Sequence, residues 1–186
     1  AGLCKDKLPD AIIRVVSSVG ISMPGYVIAS GLMILLAVNL KIFPVNYNKP
    51  GGWVMPMITL AVYPTSYLTR LTRASILEVM NQDYLRTERA KGMSEFVVVF
   101  IHALKNSLIP VITYLGPLTA SILTGGFVAE SVFSVPGLGR YFVSSISSRD
   151  YTMIMGVTIF YSALIVFMNL ICDILYKIVD PRIQLD

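Results

Sequence analysis

Charge is what this sequence has least of. Only 14% of its 186 residues are Asp, Glu, Lys or Arg, against about 25% in soluble domains, so a chain solvated mainly by water is excluded. Cysteine is nearly absent too: Cys4 and Cys172 are the only two, too few for a disulfide framework, and a reducing compartment with no disulfide is expected. The single histidine, His102, has no second imidazole to share a metal, and the nine methionines are scattered. The chain contains no His-Glu-x-x-His, Gly-x-Ser-x-Gly, Cys-x-x-Cys or phosphate-binding Gly-x-x-x-x-Gly-Lys-[Ser/Thr] pattern. No catalytic residue, metal site or cofactor on this chain is therefore expected, and any ATP must be handled by another subunit.

What is present is apolar sequence in long pieces. Val15–Leu40, Pro50–Thr69, Ser107–Ala129 and Tyr151–Cys172 carry no Asp, Glu, Lys or Arg. Each is roughly 20 residues or more, enough to cross a ~30 Å hydrocarbon layer as a helix. Buried helices of a soluble protein are the alternative, but four in so short a chain leave too little polar surface to cover them. The expected fold is all-α and polytopic, with spans at about 13–42, 54–80, 107–129 and 152–177. The chain opens on Ala1, and its first residues lack an apolar stretch of signal-peptide form, so it reads as cut from something longer.

The basic residues set a topology. Lys5, Lys7, Arg14, Arg70, Arg73, Arg86, Arg89, Lys91, Lys105, Lys177 and Arg182 flank one set of span ends, against Lys41, Lys49, Arg140 and Arg149 on the other. The positive-inside bias then places both termini and residues 81–106 in the cytoplasm. It also explains a net charge of +4 without nucleic acid. Pro24 is a kink site in the first span, as Pro64 is in the second, and Trp53 suits an interfacial anchor. Asp173 and Lys177 are spaced to pair. Thr113, Pro117, Ala120, Ser121 and Thr124 share a face of the third span, suited to close helix packing or to lining a translocation path; Thr113, Pro117, Ser121 and Thr124 are the path candidates. The outer stretch 130–151 is too apolar for a free loop and too broken for a span, which suggests an interfacial or re-entrant element.

The one substantial polar stretch, 81–106, is expected to form two short helices. A charged helix from Asp83 stops at Gly92, a favoured C-terminal residue, and a second starts with Ser94 as N-cap and Glu95 in its first turn. Carried on the ends of two spans, such a pair makes a rigid knob.

The run Arg86-Thr87-Glu88-Arg89-Ala90-Lys91-Gly92-Met93-Ser94-Glu95, followed by His102-Ala103-Leu104-Lys105-Asn106-Ser107-Leu108-Ile109-Pro110, resembles the EAA loop of ABC-importer permeases in their oligopeptide, dipeptide and nickel form. Phe133-Ser134-Val135-Pro136-Gly137-Leu138-Gly139-Arg140 and the ending Asp180-Pro181-Arg182-Ile183 are similar to that family's last outer loop and tail. The resemblance runs from about Ser22 to Ile183, with departures. Glu88 stands where the family usually has a small residue, and four spans stand where it has about six, so this is its C-terminal portion.

The resemblance implies a multi-pass permease subunit of an ATP-driven importer in the cell membrane. Its partners would be ATP-binding subunits, a second homologous permease subunit, an extracytoplasmic solute-binding protein and membrane lipid. Residues Arg86, Thr87, Glu88, Arg89, Ala90, Lys91, Gly92, Met93 and Ser94 would couple to the ATPase, with Ala90, Lys91 and Gly92 at the tip. Peptides are the first expected substrate and nickel the second. A membrane enzyme would need a paired nucleophile and base inside the spans, and none is visible. A non-transporting sensor or scaffold would use the same knob without a through-path.

Overall fold

The computed structural model describes residues 7–123 and 126–179. Among them the regular structure is entirely helical. Helix α1 covers Leu8–Ser22, with Asp10 in its first turn, where a carboxylate complements the helix dipole. It stops ahead of Pro24, whose ring disfavours helical dihedrals in the residue before it. Pro24 itself takes extended backbone (φ −60°, ψ 141°), and its carbonyl accepts from the N–H groups of Val27 and Ile28 at 3.0 and 3.2 Å. A proline lacks only an N–H, which the start of a helix does not need. Helix α2, Gly25–Asn39, therefore begins afresh, and over Met33–Asn39 it widens to π-helical bonding. The single kinked helix expected at about 13–42 is thus two helices, starting earlier and ending at Asn39.

Residues 40–53 form a tight link. The Asn46 side chain accepts from the Asn48 N–H at 3.0 Å, an Asx-type turn. A Cβ on Gly52 would lie 2.7 Å from the Tyr47 Cα, so only glycine fits. Trp53 follows, 57% exposed, as an interfacial anchor requires.

Helix α3 spans Val54–Met80 and contains Pro64, the kink candidate of the second expected span. Helix α4, Asp83–Ala90, and helix α5, Glu95–Ser107, follow; α5 is π-helical over Val98–Ala103. Helix α6, Ile109–Leu123, contains Pro117. The third span expected at 107–129 is therefore interrupted: a break at Leu108 separates α5 from α6, and after residues 124–125 the backbone is extended at Gly126. Helix α7 is Phe127–Val132, α8 is Leu138–Ser148, and α9 is Tyr151–Val179.

By length and composition, Tyr151–Ile171 of α9 is the one helix among the described residues that would cross a membrane by itself. The number rises to three if Leu8–Ser22 with Gly25–Asn39, and Glu95–Ser107 with Ile109–Thr119, each count as one bent span. Helix α3, with 27 residues, is long enough. It is kept out by its threonines and serines and by Arg70 and Arg73, which lower its hydropathy.

The chain divides into two compact units, Ala1–Ile21 with Thr65–Leu115, and Ser22–Pro64 with Gly116–Asp186. In the first unit, Val79, Leu85, Val98 and Ala103 form a buried cluster with Met80 and Tyr84 packed against it. The buried Asp10 carboxylate there meets Arg73, and the rings of Tyr67 and Tyr114 lie 4.3 Å apart.

In the second unit, Ala29, Met55, Ala129 and Phe133 form the core, flanked by Met33, Leu36, Leu60 and Val132. The stretch expected as an interfacial or re-entrant element is α7, a turn and α8. The Glu130 carboxylate accepts from the Arg140 N–H at 2.9 Å, capping the first turn of α8 from outside that helix. Arg140 in turn donates to the Ser134 carbonyl at 3.2 Å. Gly139 is buried against the Phe127 backbone, where a Cβ would lie 2.8 Å from Cα. Leu138, Tyr141 and Ile146 of α8 remain exposed.

Candidate coupling site

The segment from Asp83 to Ser107 is built from its turn outward. At the end of α4 the Gly92 N–H bonds the Arg89 carbonyl at 3.0 Å, and the Met93 N–H bonds the Glu88 carbonyl at 3.4 Å. This pair of bonds is a Schellman closure, which needs a left-handed residue between them. Gly92 supplies it with φ +84°. A residue with a Cβ pays for that conformation in backbone strain, although the space around Gly92 is open.

The second helix starts as the sequence predicts, with one difference. Ser94 occupies the N-cap position (φ −64°, ψ 146°), but its hydroxyl makes no capping bond. An ion pair fixes the corner instead. The Arg89 guanidinium donates from Nε and Nη2 to the two Glu95 carboxylate oxygens at 3.0 and 2.9 Å. Hydrogen bonding from Arg89 holds the Glu95 carboxyl below its ordinary pKa, and the same bond raises that of Arg89. A bidentate fork fixes direction as well as distance, so it sets the angle between α4 and α5.

Below the turn the knob has its own small core. Leu85 of α4 and Val98 of α5 have no exposed surface, and Val79 brings in the end of α3. Burying a leucine of this kind contributes about 2 kcal/mol. Tyr84 adds a polar clasp, accepting from the Asn106 side chain at 2.8 Å and donating a long bond to the His102 carbonyl at 3.5 Å. The turn is thereby joined to the end of α3 and to α5 through packed side chains.

The residues with expected coupling roles fall into two groups. Ala90, Lys91, Gly92, Met93 and Ser94 stand exposed at the tip, and Arg86 and Thr87 on the outer side of α4. Arg86 pairs loosely with Asp83 at 3.5 Å. Glu88 is half-buried, and Arg89 turns across the corner to Glu95 instead. One Glu88 oxygen accepts from Lys91 Nζ at 3.2 Å, while the other is shielded from solvent without a hydrogen-bond partner. Glu88 thus orients the tip lysine.

Of the path candidates, Thr113, Pro117 and Ser121 stand exposed on α6 at four-residue spacing, and the Thr113 hydroxyl bonds back to the Ile109 carbonyl at 2.9 Å. Thr124 lies outside the described residues, as do Cys4 and the side chains of Ala120, Cys172, Asp173 and Lys177. Among the described residues no group of three or more His, Cys, Asp or Glu side chains is placed to hold a metal ion.

Sequence reasoning missed the Asp10–Arg73 pair and the Tyr84–Asn106 clasp. Both join residues far apart in the chain, where no local periodicity connects them. For the first pair the available signal was the basic stretch of α3, where Arg70 and Arg73 follow a long neutral run, which calls for a carboxylate somewhere in the fold.

The chain belongs to the family of binding-protein-dependent transport system inner membrane components, whose pattern matches residues 1–185. It is 47% identical over 186 residues to the dipeptide transport system permease protein DppB of Bacillus subtilis (strain 168), covering 100% of this chain and 60% of that protein. It is 42% identical to the oligopeptide transport system permease protein AppB of the same organism, covering 92% of this chain and 58% of that one. With the oligopeptide transport system permease protein OppB of Haemophilus influenzae it shares 37% identity, over 99% of this chain and 61% of the relative. The chain therefore spans about three fifths of the length of the relatives it matches.

Proposed function

We propose that the chain is the C-terminal portion of a permease subunit of an ATP-driven importer, and that its cargo is peptide. The observation that carries this reading is the Asp83–Ser107 knob, closed by Gly92 and the Arg89–Glu95 fork and packed through Leu85 and Val98 onto the end of α3. Such a body converts a push on its tip into movement of α3 and α5. The ATP-binding subunits supply that push, with Arg86 through Ser94 in contact with them. A second permease subunit completes the path and a solute-binding protein delivers the cargo. Peptide is favoured over nickel by the names of the similar permeases. Both termini and the knob lie on the cytoplasmic side, by the basic residues around them. Thr113, Pro117, Ser121 and Thr124 are assigned to the path face.

Two measurements on the full-length permease test this. Reconstituted with its ATPases, second permease subunit and binding protein, it should drive ATP-dependent uptake of labelled dipeptide and not of nickel; no nucleotide-dependent flux would favour a sensor or scaffold. A cysteine replacing Lys91 should cross-link to the ATP-binding subunit, and labelling of the same position by an impermeant reagent outside intact cells would overturn the orientation.

A further inference from the structure

Helix α5 has two faces, and the knob accounts for one of them. Val98 and Ala103 are buried against α4 and the end of α3, at 0% and 2% exposure. Beside them the rings of Phe96 and Phe100 stack with centroids 4.7 Å apart, Phe100 also edging a small apolar cleft that it shares with Ile76, Met80 and Ala103. Phe96 is 67% exposed, Phe100 48% and the neighbouring Ile101 56%. Two stacked phenylalanines in open water lose hydrophobic free energy that a cover would recover.

Three observations identify the cover. First, α6 has 15 residues, which at 1.5 Å each rise about 22 Å, short of a ~30 Å hydrocarbon layer. Second, α5 joins α6 at Leu108, and Glu95–Ser107 taken with Ile109–Thr119 is apolar and long enough to cross. The Ser107 end of α5 then completes the span, and its other end emerges through the surface, carrying Phe100 and Phe96 across the boundary. Third, the charges on α5 suit that position. Glu95 and Lys105 are its only charged residues; Glu95 is already paired with Arg89, and the exposed Lys105 has a stem long enough to reach lipid phosphate.

We infer that the Phe96–Phe100–Ile101 face of α5 beds in the headgroup and acyl boundary of the phospholipid leaflet on the knob's side, anchoring the knob to the bilayer surface. Helices with aromatic and aliphatic residues on one face bind this layer through apolar area, helped by basic residues facing anionic lipid. The knob then pivots about a bedded α5, with its tip at Lys91 free to be pushed. The inference rests on the membrane location of the chain and not on the cargo or the ATPase contact.

The test measures depth. In the full-length permease assembled with its partner subunits, with Cys4 and Cys172 replaced by serine, a nitroxide is placed in turn at Phe96→Cys, Phe100→Cys and Ile101→Cys. The complex is held in nanodiscs of phosphatidylethanolamine and phosphatidylglycerol, and Asp83→Cys serves as a water-exposed reference. Collision with oxygen should exceed collision with a water-soluble nickel chelate at the three α5 positions, and the order should reverse at Asp83→Cys. Chelate-dominated collision at all three would overturn the inference. So would protection from both reagents, which would mean that protein, such as an ATP-binding subunit, covers the face. Failure here leaves the Lys91 cross-link intact, and failure of that cross-link leaves the depth profile intact, so the two readings are distinguishable.

Discussion

Arg73 holds Asp10 with two parallel hydrogen bonds, Nε to Oδ1 at 2.7 Å and Nη2 to Oδ2 at 2.8 Å. The Asp10 side chain has no exposed surface and that of Arg73 only 20%, with Arg14 a further 3.7 Å from the same carboxylate. The fork ties α1 to α3 across 63 residues of sequence. Pairing inside a poorly solvated environment carries a large desolvation cost, so each partner is needed mainly to keep the other from standing alone.

That asymmetry predicts a mutational pattern. Asp10→Ala should destabilise the full-length permease by about 3 kcal/mol, because a mostly buried guanidinium loses its carboxylate. Arg73→Lys should recover only part of the contact, since an ammonium cannot make the planar fork. The double change Asp10→Leu with Arg73→Met should be closer to wild type than Asp10→Ala. Unfolding midpoints of the detergent-purified proteins check the order, and a double variant less stable than Asp10→Ala would refute it.

Gly92 offers a cleaner separation of strain from contact. Because a Cβ there meets nothing within 4 Å, Gly92→Val acts on this chain through its positive φ alone, at about 1–2 kcal/mol. The permease should still insert and assemble. Association with the ATP-binding subunit should weaken and substrate-stimulated ATP hydrolysis should be lost. Gly92→Asn, which tolerates the left-handed region better, should keep more of both. Normal coupling in Gly92→Val would remove this turn from the coupling mechanism.

The Arg89–Glu95 fork carries a pH signature. Its hydrogen bond to Arg89 depresses the Glu95 pKa, so its contribution is fully present above the ordinary carboxylate value of about 4.3 and disappears as pH falls through the lower folded value. A nitroxide at Ser94→Cys should therefore stay immobilised from about pH 8 down to the ordinary carboxylate value of about 4.3 and loosen only at lower pH. Glu95→Gln should be loose at every pH. An acid-insensitive label in the wild-type background would show that the fork does not hold the corner.

In the other unit, the Glu130 carboxylate substitutes for a missing cap on α8. Glu130→Ala should cost about 1 kcal/mol, as loss of an N-cap does, and should raise the accessibility of a label at Leu138→Cys. Gly139→Ala should cost more, because its methyl group would meet main-chain Phe127 Cα at 2.8 Å, which no rotamer change relieves. Thermal unfolding of the two single variants tests the ranking.

What the sequence disclosed followed the reach of its signals. Local signals worked: the Gly92 stop, the entry of Glu95 into a new helix and the bounds of α3 all follow from residues within a turn of the event. Ser94 shows the limit of position alone, because the hydroxyl stands at the cap while Arg89 does the holding. The first apolar run suggested one helix because hydropathy does not see backbone geometry, and Pro24 lets the chain restart at a helix start, where its missing N–H would have no partner anyway. The third suggested another for the same reason. Asp10 with Arg73, and Glu130 with the Arg140 N–H, depend on tertiary placement that no periodicity encodes. The chain's family was readable because the EAA-like loop and the Pro136-Gly137-Leu138-Gly139 turn are local motifs.

The π-helical stretches Met33–Asn39 and Val98–Ala103 bear on which insertions and deletions the chain tolerates. A turn closed by i→i+5 bonds holds more residues than an α-turn, so each stretch contains slack that a one-residue deletion can take up by reverting to ordinary helix. In α5 such a deletion would restore ordinary helix while the side chains on either side of Val98–Ala103 keep their facing, because the wider turn holds the extra residue without advancing the helix. A change of one residue in length there need not turn the Phe96 end of α5 relative to its Ser107 end.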